Sequence, residues 1–158
     1  MNLQRLLDRL PWSRQRPRPS VDPAPVAPEP AGQTSPDRMP RLDRLDLQAA
    51  VIHHLEWCVL FNEHLSVDAS QAQHQTPLPD ADNSALGQWL HKMAQRPVGQ
   101  HPHFLALQQE HRRFHELARE ALEHSRNQRM DLASTLLNTE FERSRARVLE
   151  MLRQMQRG

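Results

Sequence analysis

Glycine is scarce in this chain, at 4 of 158 residues, and tyrosine is absent. So little glycine excludes glycine-rich phosphate loops, collagen repeats and architectures of many hairpins, which need backbone conformations only glycine adopts freely. The lack of tyrosine and the few β-branched residues argue against a sheet protein. One cysteine excludes an internal disulfide framework and a multi-cysteine zinc ribbon, and fits a reducing compartment. An excess of one charge is missing too. Twenty Lys and Arg stand against 19 Asp and Glu, a net +1, which leaves no strong field for nucleic acid or an anionic lipid surface. No segment approaches the roughly 20 apolar residues of a membrane span. The opening MNLQRLLDRLPW lacks the apolar core of a secretory signal. The expectation is a cytoplasmic protein of bacterial type, with one domain of ordinary size.

Leu, Gln, Arg, Glu and Ala dominate what remains, a helix-forming composition. Proline divides the chain, because nine of its 13 prolines lie in residues 1–40. From Pro17 to Pro40 the sequence cannot bury apolar surface, and proline removes backbone donors. Residues 1–40 are therefore expected to be a disordered tail and linker. Leu3, Leu6, Leu7 and Leu10 have helical spacing, so residues 2–10 form a short amphipathic helix or docking peptide at most, or else a frayed tail.

Residues 41–158 read as four helices. The first spans about Arg41–Val67, with Leu47, Val51, His54, Cys58, Phe61 and Leu65 on one stripe. The second spans about Asn83–Gln95, with Leu86, Leu90 and Met93 inward and Asp82 or Asn83 as its N-cap. The third spans about Pro102–Arg126, lined by Phe104, Leu107, His111, His115, Ala118 and Leu122. The fourth spans about Arg129–Gln156, lined by Leu137, Phe141, Ser144, Val148, Met151 and Met155. The fold class is all-α, an antiparallel four-helix bundle. Its stripes are rich in Ala, Ser and His, so a second copy is expected to complete a modest core as a homodimer.

The 10 histidines are the unusual entry in the composition. His111 and His115 project from one face of the third helix, an arrangement that presents two imidazoles to one metal. His54 falls on the inward stripe of the first helix. Burying three imidazoles costs desolvation unless each finds a partner, and a zinc ion would satisfy all three. The competing explanation is three core histidines satisfied by protein groups. His53, His64, His74, His91, His101, His103 and His124 are scattered and read as mostly solvated.

His54-Leu55-Glu56-Trp57, Ser84-Ala85-Leu86-Gly87-Gln88-Trp89 and His111-Arg112-Arg113-Phe114-His115 occur in that order. They resemble the HxxW, CxLGxW and HxxFH motifs of the chemoreceptor zinc-binding (CZB) domain. The likeness covers about residues 41–126 well and the fourth helix loosely. It implies a helical bundle holding Zn2+ through His54, His111, His115 and a cysteine. Here the fourth position is Ser84. A serine hydroxyl keeps its proton at neutral pH, so zinc is expected to bind weakly or with water in the fourth place. Cys58, one turn beyond His54, and Asp82, two residues before Ser84, are weaker candidates for that place. Trp57, Leu86, Gly87 and Trp89 are implied to build the wall of the site.

The resemblance implies a regulatory module of chemotaxis or cyclic-di-GMP signalling, with no enzymatic activity. No signalling domain follows in this sequence, so output is expected through a partner protein, with residues 1–18 as the contact. The alternative is a metal-free adaptor whose zinc site has decayed. A hydrolytic zinc enzyme would need an inward general base, and Glu110 and Glu116 point outward by periodicity. A di-iron carrier would need inner carboxylates and more histidines, of which His64 and Asp68 offer a poor start.

Overall fold

The computed structural model describes residues 38–157 except residue 69. All of these belong to the second of the two units, residues 1–34 and 35–158, into which the chain divides. The expected tail and the helix over residues 2–10 lie outside the described residues.

The described chain is helical. Helix α1 spans Arg44–Ser66, α2 Ala85–Ala94, α3 Pro102–Arg126, α4 Met130–Leu136 and α5 Glu142–Arg157. A π-helical turn, Leu137–Phe141, joins α4 to α5, so the last three elements make one long fourth helix. Side-chain contacts give the directions. Phe61 meets Phe141 and His54 meets Arg145, so α1 and α5 run antiparallel. Ser84 meets His111 and Trp89 meets Phe104, so α2 runs against α3. Glu140 meets Arg113 and Ser144 meets Glu110, so the fourth helix also runs against α3. This is an antiparallel four-helix arrangement.

The α3 boundaries agree with the expectation, helped by Pro102 at the first turn and by Gln128, whose φ of 59° breaks the helix run before α4. The α2 cap differs. Ser84, not Asp82 or Asn83, is the N-cap, its Oγ accepting from the Gly87 N–H at 3.0 Å. Asp80 takes the preceding turn instead, accepting from the backbone N–H of Asp82 and Asn83. A serine hydroxyl is a good cap acceptor, and two prior acidic or amide residues do not change that.

The π-helical turn has a local cause. Thr135, Asn138 and Thr139 each donate a side-chain hydrogen bond to the carbonyl four residues back, at 2.9, 2.9 and 2.7 Å. Such bonds compete with the backbone ladder and loosen the turn. Seven residues beyond buried Ala133 a regular helix would bring Glu140 inward. The extra residue brings Phe141 in instead, and Glu140 turns out to pair with Arg113 at 3.2 Å.

The core runs through Leu47, Phe61, Phe104, Leu107, Phe114 and Val148 among others. On α1 the inward stripe passes through Ala50 and Trp57, leaving Val51, Cys58 and Leu65 half-buried. The large Trp57 indole takes the interior, and the small Cys58 thiol stands at its edge.

Candidate metal centre

Among the described residues, the buried polar side chains are His54, Ser84, His111, His115 and Ser144. Phe114 separates His111 from His115 in sequence and fills the space between α3 and α1. Its ring lies 4.7 Å from the His54 ring and 5.1 Å from the Trp57 ring. The Trp57 ring covers His115 at 4.3 Å, and its Nε1 donates to Pro79 O at 2.8 Å, which ties the preceding loop over the histidines.

The helical turn places His111 Nε2 and His115 Nε2 3.1 Å apart. Ser84 Oγ lies 3.4 Å from the same His111 nitrogen. Ligands of a tetrahedral zinc stand about 3.3 Å from one another, given Zn–N lengths of 2.0–2.1 Å. These two separations are therefore those of ligand neighbours. With uncharged rings the short N···N contact is also a hydrogen bond, one ring donating and the other accepting.

The rings are uncharged because of where they sit. Burial pushes His54 and His111 down to about 4 and His115 to about 3. Mutual repulsion adds to this, since His54 lowers His111, and both lower His115. A neutral imidazole is the form that binds zinc.

His54 departs from the pattern. Its Nε2 is 3.3 Å from the Arg145 carbonyl oxygen of α5 and donates to it. With Nε2–H donating, Nδ1 carries the lone pair, and a carbonyl holding the other ring nitrogen is a usual setting for a ligating histidine. Among the described residues no three His, Cys, Asp or Glu side chains are already gathered as a metal site. The donor chemistry nonetheless fits zinc: three unprotonated imidazoles from two helices, with a hydroxyl beside them.

The weaker fourth-place candidates are placed as follows. Cys58 is half-buried, and burial raises its thiol to about 11. Arg145 and Glu142 of α5 are the charged groups that act on it, so it faces the α1–α5 seam. A protonated thiol is a poor ligand. Asp82 is exposed and shares with His111 a small hollow of about 50 Å3. Ser84 Oγ is engaged already, accepting from Gly87 N–H and donating to Ala81 O at 3.2 Å.

Gly87 serves the site by leaving room for backbone. A Cβ there would stand 1.8 Å from Ala81 O, so the glycine admits the loop backbone that leads into Ser84. Trp89 sits farther along α2, beside Phe104 at 6.5 Å.

Two groups lie where periodicity did not put them. Glu110 is not outward: its side chain is 11% exposed, takes a 2.6 Å hydrogen bond from Ser144 Oγ, and lies 3.7 Å from Arg147 Nε. It seals the α3–α5 seam and is held there rather than free to act as a base. His64 is half-buried, with Nδ1 2.8 Å from Leu60 O and Nε2 3.0 Å from Thr76 O, so it pins the loop rather than serving an inner metal site. Glu116 is exposed, as expected.

Among the described residues no helix is long and apolar enough to cross a membrane. No curated protein and no solved structure matches the chain. A family model does match, over residues 54–122, which run from the first buried histidine through the buried face of α3. The family it describes binds zinc and works as a sensory and regulatory module of chemotaxis-type proteins, not as a catalyst. Over residues 54–122 the chain is thus similar to the chemoreceptor zinc-binding (CZB) domain family.

Proposed function

We propose that this chain is a zinc-responsive regulatory module in which His54, His111 and His115 hold Zn2+, with Ser84 or water in the fourth place. The observation that carries it is a buried trio of uncharged imidazoles, two of which present nitrogens 3.1 Å apart. Zinc would supply binding energy to the folded state alone, tightening the bundle by mass action. The chain's own residues do the rest. Trp57 and Phe114 pack against the rings, and Ser84 caps α2 beside them. The Arg145 carbonyl takes the Nε2 proton of His54 in a hydrogen bond and so leaves Nδ1 unprotonated.

In this reading residues from 41 onward form the regulatory bundle, and residues 1–40 are tail and linker. The signal passes to a cytoplasmic partner protein, of the chemotaxis or cyclic-di-GMP type, with residues 1–18 as the contact. The bundle pairs with a second copy through α1, whose Leu45, Ile52, Leu55 and Val59 are exposed at 73, 52, 42 and 58%. Their spacing of 7, 3 and 4 is that of a coiled-coil seam, with β-branched residues at alternate positions as in two-stranded pairs.

The test of zinc binding is metal content by mass spectrometry on protein purified without a histidine tag. The expected result is near-stoichiometric zinc, lost in His115→Ala. A second reading, a metal-free adaptor, draws support from Ser84 and His54 already being satisfied by protein groups. It predicts zinc-free protein in which only Ser84→Cys acquires metal.

A further inference from the structure

Residues 70–84 run as a strap from the end of α1 to the start of α2. Pro77 and Pro79 have no N–H to offer, so the strap is tied through its carbonyls. Two side chains of α1 hold it. Trp57 Nε1 donates to Pro79 O at 2.8 Å, and His64 Nε2 lies 3.0 Å from Thr76 O. The two donors are seven residues apart, on one face of the helix.

The His64 ring carries a constraint that the indole does not. Its Nδ1 lies 2.8 Å from Leu60 O, so both ring nitrogens face carbonyl oxygens. A carbonyl oxygen only accepts, and both nitrogens of an imidazole donate only when the ring is charged. The place suits a cation, because His64 lies in the last turn of α1, at the negative end of the helix dipole. Arg119 and Arg126 of α3 and Asp80 and Asp82 of the strap share the cleft beside it, two charges of each sign. Glu63 and Asp68 on its own segment and His74 on the strap are the nearest titratable groups in sequence. Among the described residues His64 has no ion pair with any of them. The two carbonyls therefore set its proton.

We propose that His64 is a proton-operated clip that closes the strap when charged and releases it when neutral. In the neutral ring one nitrogen keeps its hydrogen and the other sets a lone pair against a carbonyl oxygen. Leu60 O is fixed in the same helix, so the side that yields is Thr76. Trp57 and His115 line the cleft under the strap, and its opening uncovers them. The proton favours the closed strap, so closure holds at lower pH and is lost as pH rises. The buried histidine trio works with the opposite sign, since it loses stability as pH falls. The clip does not depend on the zinc reading.

The test is limited proteolysis of the full-length, zinc-depleted protein by subtilisin at pH 6 and pH 8.5. Cuts within residues 70–83 are followed by mass spectrometry. Each rate is divided by that of a free peptide of the same sequence, which removes the pH dependence of the protease and leaves the open fraction of the strap. The expected result is a rise of about fivefold or more from pH 6 to pH 8.5, with cleavage elsewhere in the bundle slow at both. His64→Gln keeps the far-ultraviolet dichroism of the parent, is cut at the parent's pH 8.5 level at both values, and changes less than about twofold between them. Long-range proton–nitrogen spectra at pH 6 show both His64 ring nitrogens protonated. A parent without the rise, a His64→Gln variant that rises as the parent does, or a bare His64 nitrogen at pH 6 overturns the proposal.

Discussion

At the scale of single residues, the three histidines dominate. Each is pushed below its ordinary value of 6.5 by burial, to about 4 for His54 and His111 and about 3 for His115. The unfolded chain therefore takes up protons near pH 6.5 that the folded chain refuses until about pH 4. Stability is full above pH 6.5 and falls as pH drops towards 4, by at most ~1.4 kcal/mol per pH unit for each ring. Carboxylates do not mimic this. Glu142, held low by Arg145, begins to cost stability only below its ordinary 4.5. Urea midpoints of the chelated protein at pH 7.5, 6 and 5 should fall steadily, and His115→Gln should flatten the fall. A midpoint independent of pH over that range would contradict the burial of neutral rings. The residues of the trio were legible because helical spacing put them on apolar stripes. What spacing could not show was the His54 hydrogen bond, since a carbonyl on α5, 91 positions away, leaves no trace in the local pattern.

At the scale of elements, the start of α2 decides how the site is built. Ser84 caps it and Gly87 admits the loop, so both belong to one local device. Replacing Gly87 with alanine gains about 1 kcal/mol of helix propensity. It also drives a Cβ into Ala81 O, at a cost of about 1–3 kcal/mol or more because the obstacle is backbone. The clash wins, so Gly87→Ala should lower the denaturation midpoint, and a raised midpoint would refute the tight loop approach. Ser84→Ala should lose about 1 kcal/mol from the missing cap. In thermal melts of the chelated protein that loss would appear without zinc. An unchanged melt would show that the hydroxyl is not capping. The four helices were readable from period alone, and α3 to the residue. The π-helical turn was not, because the inward positions Leu137, Phe141 and Ser144 keep helical spacing of 4 and 3 with or without it. Only the polar run Thr135, Asn138 and Thr139 marks the spot, through bonds that a hydropathy pattern ignores.

At the scale of the whole molecule, α1 has two apolar faces. One packs inward through Leu47, Ala50, His54, Trp57 and Phe61. The other is exposed through Leu45, Ile52, Leu55 and Val59. A helix apolar on both sides blurs its own periodicity, which is why the inward stripe was read through Val51 and Cys58 instead of Ala50 and Trp57. The proposed dimer would bury this second face. Ile52→Glu with Val59→Glu should leave a folded monomer in sedimentation velocity at concentrations where the parent is a dimer. A monomeric parent would remove the dimer from the account.

The central claim is that three imidazoles of this bundle hold zinc without a thiolate. X-ray absorption at the zinc edge of the metal-loaded protein tests it directly. The expected result is nitrogen and oxygen neighbours near 2.0–2.1 Å, imidazole scattering from three rings, and no sulfur. A sulfur shell near 2.3 Å would contradict it by making Cys58 a ligand. An all-oxygen shell without imidazole scattering would contradict it by placing the metal outside the histidine cluster.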